Sequence, residues 1–258
     1  MCIVFLAGGC SAIFYLFSDP IPSTDIDQAT QARAEALIDQ MWTALNAPAW
    51  FAAEGAEWTF PGGRHYVWHK RLGRVRVDLS ETSAVYLDTT TGRGRAFEGG
   101  QALDQAIGEA HVARAIRHFN NDSFWLAAPF KVRDLGTQRS LVSDEAGEGI
   151  LVYYASGGST PGDRYLWRLN ADHQPQLWQL WVQIIPVKGV GFTWEDWRRT
   201  ASGALISHMH RSKVLNVSLR DVKVVTRFEE LKVKDAYLTS AEWPRFMGGA
   251  FSPAAPQD

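Results

Sequence analysis

A few sets of side chains in this sequence have the types and spacing that chemistry asks for. His208 and His210 stand two apart, and His65 and His69 four apart, in stretches that read as strands. Even spacing in a strand puts both rings on one side, which is a spacing metal sites use. A metal needs a third ligand, none is close in sequence, and there is no HExxH pattern or cysteine partner, so no metal is assigned. Glu195 and Asp196, bracketed by Trp194 and Trp197, are the one acidic pair in an aromatic setting. Neighbours in a strand point to opposite faces, so the two cannot act as a carboxylate dyad. Residues 157–164, GGSTPGDR, have the glycine spacing of a phosphate loop. Asp163 stands where the lysine belongs and a strand follows where a helix should, while Pro161-Gly162 fits a type II turn. No serine lies in a G-x-S-x-G elbow. Arg93, Arg95, Arg198 and Arg199 read as strand-end arginines, with lipid phosphates as the functional alternative.

Positioning these groups falls to two helical patterns and a long series of strands. Ala34, Leu37, Ile38, Met41, Trp42 and Leu45 recur at steps of three and four, predicting a helix that starts near Ser23 or Thr24 and ends at Pro48. A second helix is predicted over residues 101–119, carried by Leu103, Ala106, Ile107, Ala110, Ala113 and Ile116. From Glu57 the rhythm becomes two-residue: Val75, Val77 and Leu79 alternate with Arg74, Arg76 and Asp78. Strands are predicted over 58–60, 65–70, 74–79 and 84–88, then 140–142, 150–155, 164–169, 176–185, 190–197, 204–210 and 214–224. One wet face per strand predicts antiparallel sheet.

Between the second helix and the later strands lies Asn120-Asn121-Asp122, then Phe124-Trp125-Leu126, Pro129-Phe130-Lys131 and Asp134-Leu135-Gly136. Three large apolar residues in succession leave no polar face, and Pro129 suits a bend, so the stretch reads as a buried crossing piece. The pattern Asn-Asp-x-Phe-Trp-Leu-x-x-Pro-Phe-Lys-x-x-Asp-x-Gly resembles that of a family of uncharacterised bacterial envelope proteins. Gly157 to Asp163, Trp178-x-x-Trp181-Val182-x-Ile184-x-Pro186 and Trp194-Glu195-Asp196-Trp197 fit the same family, so the likeness runs from about Gly62 to Val224. The resemblance implies the half-open barrel of the lipoprotein-localisation factors, the LolA/LolB type, and an envelope location. It implies no chemistry.

The N-terminal 17 residues carry no charge. As a helix they would span roughly 26 Å against a bilayer core of about 30 Å. Within them Leu6-Ala7-Gly8-Gly9-Cys10 resembles a lipobox, with Cys10 the residue to be lipidated, although no Lys or Arg precedes the run and apolar residues follow it. A lipoprotein, an uncleaved anchor and a cleaved or differently started soluble form are the three readings, and each places the body outside the cytoplasmic membrane. The only other cysteine is Cys2, so the folded body has no disulfide and no thiolate nucleophile. A net charge of −2 argues against a nucleic-acid surface.

The sequence therefore predicts an α+β fold: a single strongly curved antiparallel sheet, a half-open β-barrel of about eleven strands, with helices plugging its concave side. Residues 1–23 are signal or anchor and linker, 24–228 the domain, and 229–258 a C-terminal extension ending in a disordered tail. The predicted function is non-catalytic binding of an acyl chain, a lipid or a lipidated protein in an apolar cleft lined by Phe124, Trp125, Tyr165, Trp167, Trp181, Phe192 and Trp194. Trp178 and Trp181 lie three apart, so only one of them faces the cleft. No cofactor is expected. Membrane attachment runs through the N-terminus. The alternatives are an envelope hydrolase acting on lipid or glycan, and a structural lipoprotein with a protein partner.

Overall fold

A computed structural model of the chain describes residues 18–23, 28–156, 160–183, 186–213, 215–243 and 247. The predicted anchor with Cys10, the helix start at 24–27 and the predicted tail at 252–258 lie outside the described residues. In chain order, helices α1 (Gln28–Ala44) and α2 (Ala47–Ala52) come first. Six strands follow: β1 (Gly55–Thr59), β2 (His65–His69), β3 (Arg74–Asp78), β4 (Ser83–Asp88), β5 (Gly94–Glu98) and β6 (Gln101–Ala102). Helix α3 (Gln105–Ala127) and a 3₁₀ turn (Ala128–Phe130) lead into β7 (Thr137–Asp144), β8 (Gly147–Tyr154), β9 (Arg164–Leu169) and β10 (Pro175–Trp181). The last elements are β11 (Val190–Thr193), β12 (Glu195–Arg199), β13 (Leu205–Arg211), β14 (Asn216–Ser218), β15 (Arg220–Val225), a 3₁₀ turn (Phe228–Leu231) and α4 (Ala236–Thr239). No described helix is long and apolar enough to cross a membrane.

The described residues divide into two compact units. Unit 1 takes those within Met1–Ala47, Ala127–Arg198 and Leu205–Val217; unit 2 takes those within Pro48–Leu126, Arg199–Ala204 and Ser218–Asp258.

Unit 2 is built on a seven-stranded antiparallel sheet in the order β15-β1-β2-β3-β4-β5-β6. The predicted alternation sets its register: Val75 lies opposite Trp68 and Leu87, and Val75 and Val77 are fully buried while Arg74, Arg76 and Asp78 are half-buried. Helix α3 packs on that apolar face, bringing Phe119 to 5.3 Å from Trp68 and 6.3 Å from Trp58 between ring centroids. It can approach closely because β5 opens on Gly94, where a Cβ would stand 2.7 Å from Val112 and from Leu87. The opposite face carries Val67, Tyr86 and Val225, covered by Phe228, Leu231, Leu238, Trp243 and Met247 of the C-terminal segment. Adjacent Tyr66 and Val67 are both buried for that reason.

Unit 1 holds a five-stranded sheet, β11-β10-β9-β8-β7, and a three-stranded one, β12-β13-β14. Helix α1 lies against β7 and β8, burying Ala34, Leu37, Ile38 and Met41 as its spacing predicts. Its Trp42 donates from Nε1 to the Pro129 carbonyl at 3.0 Å, tying the helix to the 3₁₀ turn.

Two expectations are corrected here. The single strongly curved sheet of about eleven strands, half-open like a barrel with helices plugging its concave side, is not the fold. The described residues are mostly β, in three separate antiparallel sheets, none closed or curled. Strand alternation identifies strands and says nothing of their partners. Here β15 returns to pair with β1, Gly55 opposite Val225, while β6 is a two-residue exposed edge that ends its ladder before α3 begins. The second correction concerns α3, which runs on through Asn120-Asn121-Asp122 to Ala127 where a polar turn is predicted. Asp122 is wholly buried and satisfied by Arg64, just before β2, and by Tyr66 within it, so its polarity does not mark a turn.

Candidate functional site: a cationic cleft on unit 1

One face of the β7-β8-β9 ladder carries Gln138, Ser140, Leu151, Tyr153 and Arg164, because Gln138 pairs with Tyr153, Ser140 with Leu151, and Tyr153 with Arg164. With Gln31 and Glu35 of α1 and Arg139 of β7, these side chains line a cleft of about 490 Å³. That volume lies within the range of small-molecule sites. Its Leu151 continues into a buried apolar cluster with Val142 of β7, Leu166 of β9 and Trp181 of β10.

The charges in this cleft do not cancel. Glu35 is shared by two guanidinium groups, Arg139 at 2.5 Å and Arg133 at 2.7 Å, and Arg133 also takes Asp39 at 2.8 Å. Burial pushes the Glu35 carboxyl up, but hydrogen bonds from Arg139 and Arg133 outweigh it and hold the group below its ordinary value. Glu35 is therefore an occupied anion. Arg164 has no carboxylate within ion-pair distance among the described residues. Its guanidinium lies 4.4 Å from the Tyr153 ring centroid and reaches the Gly162 carbonyl only at 3.5 Å. A guanidinium over a ring and without a carboxylate has donors to offer a carboxylate or phosphate.

The aromatic residues predicted to line an apolar cleft are placed differently from one another. Tyr165, Trp167 and Trp178 stack in one row, with centroids 5.0 and 5.2 Å apart, and Trp194 closes against Trp167 and Trp178 at 5.2 and 5.7 Å. Tyr165, Trp167, Phe192 and Trp194 are all buried, Trp167 completely. Trp181 stands on the opposite face of β10, with its indole N–H on the Asp19 carbonyl at 2.8 Å. Trp178, not Trp181, joins the row, since Trp178 is the residue that pairs across with Trp167. Trp125 is buried at the end of α3 and Phe124 half-buried. Cys10 lies outside the described residues.

The other candidates resolve into packing and pairing. His210 sits edge-on to Trp194, 4.3 Å between centroids, and His208 is buried, with its Nε2 lacking a hydrogen-bond partner among the described residues. His69 stacks on Phe228 at 4.3 Å. His65 lies between Asp78 and Glu57, 3.2 Å from each. Hydrogen bonding to Asp78, helped by Glu57, outweighs burial and raises its pKa. Among the described residues, no three His, Cys, Asp or Glu side chains converge as a metal site. Glu195 pairs with Arg211 at 3.0 Å and Asp196 with Arg198 at 2.8 Å. Asp163, where a phosphate loop would have lysine, is buried and accepts from the Gln183 backbone at 3.0 Å and the Tyr165 hydroxyl at 3.2 Å, so it anchors the turn.

Sequence reasoning missed Arg139, Tyr153 and Arg164 as a group. The signal was present in part, since Arg164 and Arg168 alternate with Tyr165 and Trp167, but that polar face reads as solvent until its neighbours across the ladder are known. No protein-family model matches the chain, and no curated protein matches it.

Proposed function

We propose that this is a non-catalytic binding protein of the cell envelope, whose ligand is an amphiphilic anion: an acyl chain or lipid with a carboxylate or phosphate head. The observation that carries the reading is Arg164, a guanidinium braced on Tyr153 in a cleft whose acid is already taken by other arginines. The head group is assigned to Arg164, and the first part of the chain to Leu151. The envelope location rests on the uncharged N-terminal run with its lipobox-like Cys10 and on the family resemblance. The non-catalytic reading is supported by the pairing of the acid–base groups with fixed charges, His65 between two carboxylates above all.

Calorimetric titration of the purified full chain with decanoate, decyl phosphate and decanol tests this. The two anions are expected to bind, and decanol about tenfold more weakly or worse, since a charge-assisted hydrogen bond contributes roughly 1.5–3 kcal/mol. Lengthening the chain should strengthen binding by up to about 0.8 kcal/mol per methylene buried. Arg164→Gln should bring the anions to the level of the alcohol. Equal binding of decanol, or anion binding untouched by Arg164→Gln, would sink the reading.

A further inference from the structure

Helix α3 packs on unit 2 by one face and offers the other to solvent. Gly108, Val112, Ala115, Phe119 and Asp122 are buried, at steps of three and four. On the far side Ile107, Ala110, Arg114, Arg117 and Asn121 follow the same steps, and all five are exposed. Such an outer ridge ordinarily sets acids three or four residues from its bases, because those pairs steady a helix. Here no acid stands three or four residues from Arg114 or Arg117. Arg114 has Arg117 at the third position instead, and His118 at the fourth.

No other element makes good the missing acids. Neither guanidinium has a carboxylate within ion-pair distance among the described residues. Asp122, one turn beyond His118, is taken by Arg64 and Tyr66 inside the unit. Glu109, toward the helix start, accepts from Gln105 at 3.4 Å. The half-buried His118 registers the excess. Burial first, then Arg64, with Arg114 and Arg117 adding, holds its pKa below the ordinary value against the pull of Asp122. At the other end of the ridge Ile107 is 56% exposed. Packing on the sheet explains the inner face of α3; it explains neither the uncompensated arginines nor the open isoleucine.

We infer that this ridge docks on an anionic phospholipid bilayer, with Arg114 and Arg117 on lipid phosphates and Ile107 at the headgroup boundary. Cations and an apolar residue along one exposed helical stripe are what a membrane-surface helix presents. An outward ridge encloses no small molecule, so a free anion would gain little burial there. A second copy of the chain fits worse, since a two-fold contact would set the same guanidiniums against each other. The inference depends neither on the Arg164 cleft nor on the N-terminal run.

Co-sedimentation of the full chain with vesicles tests it, using phosphatidylcholine alone and phosphatidylcholine with about one-third phosphatidylglycerol. An apolar anchor would add equally to both, so the ratio between them reports the ridge. At low salt the anionic vesicles should bind at least about tenfold more tightly, since each arginine near such a surface contributes about fivefold. Raising the salt to about 0.5 M should remove that preference. The double variant Arg114→Gln/Arg117→Gln should bind both vesicles alike and keep the wild-type melting temperature, because it breaks no ion pair. Ile107→Ser should weaken binding to the anionic vesicles severalfold. Arg227→Gln, at an exposed arginine paired with Glu230, should leave the preference intact, and so should Arg164→Gln. No preference in the wild type, or one that survives the double variant, would overturn the inference. So would indifference to Ile107→Ser, which marks a free-phosphate site, or an equal loss through Arg227→Gln or Arg164→Gln.

Discussion

Two buried regions, the Asp122 and Asp235 networks of unit 2 and the tryptophan row of unit 1, treat buried polarity in opposite ways. In unit 2 the wholly buried Asp122 accepts from Arg64 at 2.7 and 3.2 Å, from the Tyr66 hydroxyl at 2.6 Å and from Asn121 at 2.8 Å. Asp235, also buried, takes the Tyr86 hydroxyl at 2.8 Å, Arg76 at 3.2 Å and the backbone of its own helix start at 3.0 Å. In unit 1 the aromatic core leaves the indole N–H groups of Trp167 and Trp194 without a hydrogen-bond partner among the described residues. One region is specified by matched donors and acceptors, the other by ring area and stacking, as are Trp58 and Trp68 of unit 2, whose indole N–H groups likewise lack a hydrogen-bond partner among the described residues. A network fixes position because each member has few alternatives, whereas stacked rings tolerate sliding and substitution.

The largest effect that follows is at Asp122. Asp122→Ala removes the acceptor and leaves a half-buried guanidinium and a buried phenol unsatisfied, which should cost about 3–5 kcal/mol. A denaturant melt measures it directly. A loss below about 1 kcal/mol would mean that water reaches the network, and the contrast between the units would fail on its strong side.

Trp167 tests the other side. Trp167→Ala opens a cavity in a fully buried position and should cost about 3–5 kcal/mol. Trp167→Phe keeps a ring in the row, leaves a smaller cavity and deletes an N–H that has no hydrogen-bond partner among the described residues, so the loss should be well below that of alanine. If phenylalanine costs as much as alanine, the indole N–H is bound to something, and unit 1 is a matched core as well.

The same contrast governs what the sequence let one read. The β2 to β4 strands were legible because Val75 and Val77 alternate with Arg74, Arg76 and Asp78, and burial follows that alternation. The α1 face was legible for the matching helical reason. What stayed hidden is everything that depends on partners remote in the chain. Asp122 reads as a turn residue until Arg64 and Tyr66, 58 and 56 positions earlier, arrive beside it. The strand predicted over 190–197 breaks at Trp194, and two residues on, within β12, Asp196 takes a φ of +53°, a left-handed conformation that alternation cannot foretell. Division into three sheets rests on pairings such as β15 with β1, and the cationic cleft on the register of β7, β8 and β9. Neither leaves a mark in local pattern.

The smallest expected effect is a matter of pH, and it separates His65 from His208 by sign. His65 in unit 2, with its side chain 30% exposed, is held above its ordinary value of 6.5 by Asp78 and Glu57. His208 in unit 1 is held below the same value, by burial first and by Arg198 second. For His65 the folded state binds the proton more tightly than the unfolded state. Its contribution is therefore complete below about 6.5 and is lost as pH rises through the raised folded value. For His208 the folded state resists the proton, so its contribution is complete above about 6.5 and is lost as pH falls toward the lowered folded value. Stability measured between pH 5 and 8 for the wild type, His65→Gln and His208→Gln isolates each histidine as a difference. Subtracting the His65→Gln curve should leave a contribution that declines with rising pH, worth about 1 kcal/mol or less because solvent screens a partly exposed pair. Subtracting the His208→Gln curve should leave one that climbs over the same interval. Two differences of the same sign would show that the two histidine environments are alike after all, and that the carboxylates beside His65 do not set it apart from buried His208.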